Sequence, residues 1–286
     1  MIKIMKKTII LFLIFLGASN VIAQSEKLQA MEQELVYVHN TAKQMWLYSH
    51  NTNYDFEGDY YMQYNEILTL IFGQFDKMLN KMLVEDRDMT YPFAELQNSG
   101  IAGTKTVWSS DSLMRVFSWM LPGGTQHIHG NAVQYKSKKL NTDSFSFDNE
   151  YNRCYDVQSA GYRYDTIYTL KNNDKTIYIL FGGTKFSTRI VGYQLIAFSI
   201  HDELVAENIF EDENGNITNE VSVGYDIGCS YEKFPMDEDG FPRPTIDENK
   251  KTANLPEIEK TEEGECFTGK FIKYKFDGKK FKFVSN

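Results

Sequence analysis

Tyr162-Arg163-Tyr164-Asp165-Thr166-Ile167-Tyr168-Thr169-Leu170-Lys171-Asn172-Asn173-Asp174-Lys175-Thr176-Ile177-Tyr178-Ile179-Leu180-Phe181 reads as two strands and the turn that joins them. β-Branched and aromatic residues fill both runs, and the Asn173-Asp174 pair supplies turn chemistry between them. The same texture extends in both directions from about Lys105. It predicts strands at Lys105–Ser109, Leu113–Trp119, Thr125–His129, Ala132–Lys136, Tyr162–Leu170, Thr176–Phe181, Arg189–Ile200, Leu204–Phe210 and Ile217–Tyr225. A last pair follows at Lys270–Phe276 and Lys279–Val284. Asp111-Ser112, Asn214-Gly215 and Asp277-Gly278 are further turn pairs, so hairpins and an antiparallel sheet are expected. Their spacing is too uneven for a propeller blade of roughly 40 to 50 residues. A sandwich-like β body is therefore favoured, with a divergent small propeller as the alternative.

Upstream the period changes. Leu28, Met31, Leu35, Val38, Ala42 and Met45 recur at three-four spacing, as do Ile67, Ile71, Phe75, Met78 and Met82. Each set forms one face of an amphipathic helix. Ser25 is placed to cap the first helix, and Tyr91-Pro92 lies just beyond the second. The fold class expected is thus α+β, with an N-terminal helical hairpin packed on a mainly antiparallel β body. The helical region takes 24–100 and the β-rich body 101–286, with an acidic, Pro-containing loop near 235–265.

Residues 1–23 read as a secretory signal peptide. Lys3, Lys6 and Lys7 precede an apolar run from Ile9 to Leu16, and Val21-Ile22-Ala23 stands before Gln24. The apolar run is shorter than the roughly 20 residues that span a bilayer, so cleavage after Ala23 and a periplasmic or extracellular protein without a membrane segment are expected. Cleavage removes three lysines and no acid, which takes the formal charge from −9 to −12. That acidity argues against nucleic acid, whose phosphates require clustered Lys and Arg. Cys154, Cys229 and Cys266 are an odd number, so at most one disulfide forms within the chain. The spacing leaves open whether any pair is bonded.

No G-x-S-x-G elbow, H-E-x-x-H helix, Walker loop or G-x-G-x-x-G turn occurs, and no cofactor is expected. His127 and His129 are two apart, so a strand sends both imidazoles to one face, where they can share a metal if a third ligand joins them. Asp and Glu are frequent, notably in Glu211-Asp212-Glu213 and Asp237-Glu238-Asp239. An EF-hand register on Gly215 or Gly240 would nevertheless put Phe210 or Pro235 at the first ligand position. The two Gly-Gly-Thr triplets, 123–125 and 182–184, read as turn glycines. Tyr54, Tyr60 and Tyr61 belong to a tyrosine-rich linker between the helices, and exposed rings there can stack on a sugar or anchor a partner.

At the C-terminus, Asp277-Gly278 taken as a two-residue turn would set Tyr274 opposite Phe281 and Ile272 opposite Phe283. Lys275 would then face Lys280, and Lys273 would face Lys282. Such a lysine ladder should lie near the acidic stretch 202–265, which holds 19 Asp and Glu against 5 Lys and Arg, or stay open to a glycan or another anionic surface.

The run Ser109-Ser110-Asp111-Ser112-Leu113-Met114-Arg115-Val116-Phe117-Ser118-Trp119, with Gly123-Gly124-Thr125, Gln134-Tyr135 and the ending Lys273-Tyr274-Lys275-Phe276-Asp277-Gly278-Lys279-Lys280-Phe281, resembles exported strand-rich proteins of Bacteroidota-type bacteria. Ser112 stands where such a turn would carry glycine. The resemblance implies export and a strand-rich architecture, and no activity. The functional expectation is an extracytoplasmic binding or accessory protein; the competing reading is a hydrolase acting on a glycan or peptide through carboxylates or a metal held by His127 and His129.

Overall fold

The computed structural model describes residues 24–45, 59–86, 89–98, 105–121, 127–136, 144–146, 161–172, 175–212, 214–231, 241–262 and 264–284. Residues 1–23, Cys154, Tyr54, Gly123-Gly124-Thr125 and Asp237-Glu238-Asp239 lie outside them. The described residues fall into two compact units, one within Met1–Gly100 and one within Ile101–Asn286.

The first unit is helical. Helix α1 (24–45) and α2 (Asp59–Glu85) run antiparallel. Gln24 Nε2 donates to the Glu85 carbonyl at 2.8 Å, Lys27 pairs with the Glu85 carboxylate at 2.7 Å, and the His39 ring meets Phe75 edge-on at 5.5 Å. Ser25 lies within α1 rather than capping it. The buried stripe of α1 is Leu28, Glu32, Leu35, His39 and Ala42, so it keeps three-four spacing but takes in two polar residues. Glu32 has a structural task. One carboxylate oxygen accepts the Leu96 N–H at 2.8 Å, inside the short helix α3 (Ala94–Asn98), and the other accepts the Tyr91 hydroxyl at 2.7 Å. On α2 the buried residues are Phe72, Phe75, Leu79, Met82 and Leu83, whereas Ile67 is exposed. The stripe is therefore rotated by part of a turn from the one its β-branched residues suggested.

The second unit is built from three open sheets. The first joins β1 (Lys105–Trp108), β2 (Met114–Leu121), β3 (Ile128–Tyr135) and β4 (Ser144–Ser146) in sequential order. The second has the order β11-β7-β6-β5, with β5 (Arg163–Asn172), β6 (Lys175–Lys185), β7 (Ile190–Ile200) and β11 (Glu220–Asp226); β8 (Leu204–Ala206) pairs with β7. The third has the order β10-β9-β15-β14-β13-β12. Its strands are β9 (Phe210–Glu211), β10 (Ile217–Thr218), β12 (Thr245–Asp247), β13 (Thr252–Thr261), β14 (Gly264–Phe276) and β15 (Phe281–Val284). All pairings are antiparallel except β15 with β9.

The five-stranded sheet is the middle layer. On β6, Ile177, Ile179 and Phe181 pack with Leu255, Phe276 and Phe281 of the six-stranded sheet, while Tyr178 and Leu180 pack with Met114, Val116 and Val133 of the four-stranded one. Burial on both faces explains why β6 is a continuous apolar run instead of an alternating one. Each fully buried Ile, Leu or Phe contributes about 1.5–3 kcal/mol, so these two interlayers dominate the stability of the unit. Strand β5 serves both by a register shift between Tyr164 and Thr166. Tyr164 and Ile167 face the same core although they are three apart, and Leu170 faces the other.

The layered arrangement is a sandwich, not a propeller. The turn pairs at 111, 214 and 277 sit in hairpin connections, and Ser112 adopts a left-handed φ of 59° where glycine was the expected residue. Asp111 stabilises that turn by accepting from Ser109 Oγ at 2.8 Å and from the Leu113 N–H at 3.1 Å. Ile128-His129 and the segment from Ala132 to Tyr135, expected in separate strands, belong to one strand, β3. Within 235–265, whose composition fits a long loop or an extended strand edge, lie β12, an edge strand, and β13. Pro256 lies beside a register shift in β13, a position where a residue without an N–H is tolerated in a sheet. Helix α4 (Ile227–Tyr231) follows β11, and Cys229 on it is bonded to Cys266 on β14. No described helix is long and apolar enough to cross a membrane.

Candidate functional site

Neither of the two expected lysine pairs forms: the register differs from the expected one by two residues, and Lys275 opposite Lys282 is the lysine pair it makes. Phe276 faces Phe281, Tyr274 faces Phe283, Lys275 faces Lys282 and Lys273 faces Val284. The connection is a four-residue loop, Asp277 to Lys280, closed by the Asp277 N–H donating to the Lys280 carbonyl at 3.0 Å. The Asp277 carboxylate accepts the N–H groups of Lys279 and Lys280 at 2.8 and 3.0 Å and pairs with Lys282 at 2.9 Å. These contacts, led by the Lys280 N–H, hold the Asp277 carboxyl well below the usual range. A two-residue turn would leave that side chain without these donors, which is why the wider loop wins.

The consequence is a division of labour among the four lysines. Lys282 is neutralised by Asp277, and Lys280 by Glu211 at 2.7 Å, an acid from the stretch 202–265. Lys273 and Lys275 are exposed and have no carboxylate partner among the described residues. Since Tyr274 and Phe276 turn towards the core, Phe271, Lys273 and Lys275 line the outer face of β14 in one row. Phe271 is 40% exposed and stands opposite Pro256. Successive members of the row are about 7 Å apart along the strand. An aromatic face and two ammonium groups at that spacing suit a chain of sugar rings carrying acidic groups.

His129 on β3 and His127 just before the strand have ring centroids 6.4 Å apart. Among the described residues no group of three His, Cys, Asp or Glu is placed to hold a metal. Lys185 and Arg163 stand near His127, and together with burial, the larger cause, they push its pKa below the ordinary value. Burial lowers His129 further, to about 4. The neighbouring carboxylate is Asp165, the residue at the β5 register shift, and it is already engaged by Lys105 at 3.0 Å and Arg163 at 3.1 Å.

Tyr60 and Tyr61 fall at the start of α2, not in a linker. Gly182 and Gly183 are not turn glycines either. They lie inside β6 opposite Tyr164 and Arg163, where a Cβ on Gly182 would stand 2.7 Å from the Arg163 carbonyl. Asp212 serves its own turn, accepting from the Asn216 side chain at 2.8 Å and from the backbone of Asn214 and Asn216, which lowers its pKa. The two features that sequence reading missed are the Phe271 row and the cations beside the histidines. The first needed the correct hairpin register; the second joins Arg163 of β5 and Lys185 of β6 to His127, which no spacing rule connects. Compared with known protein families, curated proteins and solved structures, the chain matches none.

Proposed function

We propose that this is an exported binding protein that recognises an acidic glycan through the outer face of its six-stranded sheet. The observation that carries the reading is the row Phe271, Lys273 and Lys275, two exposed lysines without carboxylate partners beside an exposed ring in a chain that is acidic overall. Lys275 stands directly opposite Lys282, and like charges so placed are unfavourable unless an opposite charge answers them; Asp277 answers Lys282 and leaves Lys275. Export is supported by the leader-like residues 1–23 and by the Cys229–Cys266 bond, which persists in oxidising compartments.

Affinity electrophoresis and calorimetry against a polyuronate and a neutral glucan test the proposal. Binding of the polyuronate, weakened by salt, is expected. The K273Q/K275Q variant should lose roughly tenfold or more in affinity while unfolding at an unchanged temperature, because hydrogen bonds to charged groups contribute about 1.5–3 kcal/mol each. K280Q/K282Q should instead lower stability and leave binding close to the parent. Polyuronate binding that is absent, or indifferent to K273Q/K275Q, rejects the reading.

A further inference from the structure

Gly130, Gly182, Gly183 and Gly192 all lie inside strands, and each sits beneath an aromatic ring. A Cβ on Gly182 would stand 2.9 Å from the Tyr164 ring and one on Gly183 would stand 3.0 Å from the Tyr193 ring, while a Cβ on Gly130 or Gly192 would collide with the ring of Trp119 or Phe186. In three of the four cases the ring belongs to the residue directly opposite on the neighbouring strand: Tyr164 faces Gly182, Tyr193 faces Gly183 and Trp119 faces Gly130. The cause is general. A glycine leaves a gap on the pleated surface and bares its backbone, and a cross-strand ring closes both.

Gly224 on β11 breaks the pattern. A Cβ there would meet only the Val191 carbonyl oxygen, at 3.4 Å, so among the described residues no side chain covers it. Its opposite number on β7 is another glycine, Gly192, and on its other side the sheet ends, since β11 stands first in the order β11-β7-β6-β5.

The edge of β11 is open for pairing. The Ala197 N–H donates to the Asn219 carbonyl at 2.8 Å and the Ile227 N–H to the Arg189 carbonyl at 2.7 Å, so the odd-numbered residues of this strand direct their backbone groups at β7. Ser222 and Gly224 therefore present N–H and C=O outward, and among the described residues nothing pairs with them. Edge strands are commonly guarded by lysine, proline or a bulge. Glu220–Asp226 contains neither residue and runs without a register shift. On the face of Gly224 the next side chains are Ser222 and Glu220, both exposed. The Glu220 carboxylate accepts the Gln194 side-chain amide at 3.3 Å and has no cationic partner among the described residues.

We propose that β11 is the docking edge for an extended segment of a partner protein. The segment adds to the five-stranded sheet as an antiparallel strand, with an aromatic residue opposite Gly224 and a lysine or arginine four residues further on, opposite Glu220. The ring gives Gly224 the cover that its own sheet withholds, and the cation answers the Glu220 carboxylate. Between them, the residues facing the other side lie beside Val223 and Val221, where β-branched side chains fit. A second copy of this chain does not meet the requirement through β11. The residues whose backbone groups point outward there are Glu220, Ser222, Gly224 and Asp226, so a paired copy brings no ring to Gly224 and sets the acids of both chains on one ladder. This edge belongs to the middle sheet and does not depend on the glycan reading.

Fluorescence anisotropy of a labelled peptide centred on Tyr-Val-Ser-Val-Lys, titrated with the whole protein, is the test. Saturable binding is expected, and replacing the peptide's tyrosine by alanine should weaken it about tenfold, the scale of burying one aromatic side chain. Gly224→Val fills the seat of the ring and suits a strand, so it should weaken binding by a similar factor without lowering the melting temperature. Glu220→Lys, at an exposed position, should weaken binding about fivefold, the scale of one directly opposed charge pair, and a peptide with glutamate in place of its lysine should recover the loss. K273Q/K275Q should bind the peptide as the parent does, which separates this result from that at the glycan face. The proposal is overturned if the peptide does not bind, or if either Gly224→Val or Glu220→Lys leaves its affinity unchanged. It is equally overturned if sedimentation shows a dimer of the parent that Gly224→Val dissolves, since the edge then serves a second copy.

Discussion

His129 contains a pH dependence that can be worked out from its surroundings. Burial lowers its pKa from the ordinary 6.5 to about 4, with further lowering from Arg163 and His127 set against raising by Gly161 and Asp165. The unfolded chain therefore binds a proton at this position more readily than the folded one. The stabilising contribution of the neutral ring is present above pH 6.5 and is lost as pH falls through 4, a difference on the order of 3 kcal/mol. Denaturant melts between pH 7.5 and 4 should show this decline, and His129→Phe should flatten it. A parent curve with no slope in that window, or a variant with the parent's slope, contradicts the assignment. His127 shifts in the same direction and adds to the slope. Glu32 is buried with both carboxylate oxygens supplied by donors, the Leu96 N–H and the Tyr91 hydroxyl.

At the scale of elements, side chains that look incidental set register. Asp277 draws the N–H groups of Lys279 and Lys280 into a four-residue loop and so fixes which residues of β14 and β15 face each other. Because the shift from the two-residue alternative is even, every side chain keeps its face, and only its opposite number changes. Asp277→Ala is expected to lower the melting temperature, with Asp277→Asn intermediate since it keeps an acceptor for the loop and gives up the Lys282 pair. The carboxyl is held below its usual value, so its contribution is complete above that value and fades as pH falls through the folded one. Equal melting temperatures for the parent and Asp277→Ala would show that the loop needs no such brace. Strand β13 shows the same principle. Pro256 flanks a register shift, and Glu257 accepts from Thr268 Oγ1 at 2.7 Å, so polar residues and a proline are accommodated in the second strand from the edge of a sheet.

For the whole β unit, the Cys229–Cys266 bond links the end of the middle sheet to the outer six-stranded one. Arg189 braces the same corner by pairing with Asp226 at 3.0 Å, and Asp226 also accepts the Gly228 N–H at 2.7 Å at the start of α4. Closing a span of 37 residues stabilises the folded state by about 3–4 kcal/mol on chain-entropy grounds. The C229A/C266A variant, or the parent under strong reductant, should lose an amount of that order in denaturant unfolding. Identical unfolding curves with and without reductant would mean that the two sheets are held by packing alone.

Alternation, turn pairs and a change of period were legible in the sequence because they are local: they depend on side-chain direction and backbone preference within a few residues. They determined an α+β chain with two amphipathic helices followed by antiparallel strands, and the turn pairs at 111, 214 and 277 lie in hairpin connections. The continuous run Ile177-Tyr178-Ile179-Leu180-Phe181 also carried the sign of a strand buried on both faces. Tertiary structure alone decided the rest. It rotated the buried stripe of α2, recruited Glu32 and His39 into that of α1, and chose Cys229 and Cys266 as partners. It also set Lys185 and Arg163 near His127 and left Lys273 and Lys275 facing outward while Lys280 and Lys282 were neutralised. Those outcomes depend on which distant surfaces meet and on how burial and charge add up where they do, quantities that no window of neighbouring residues contains.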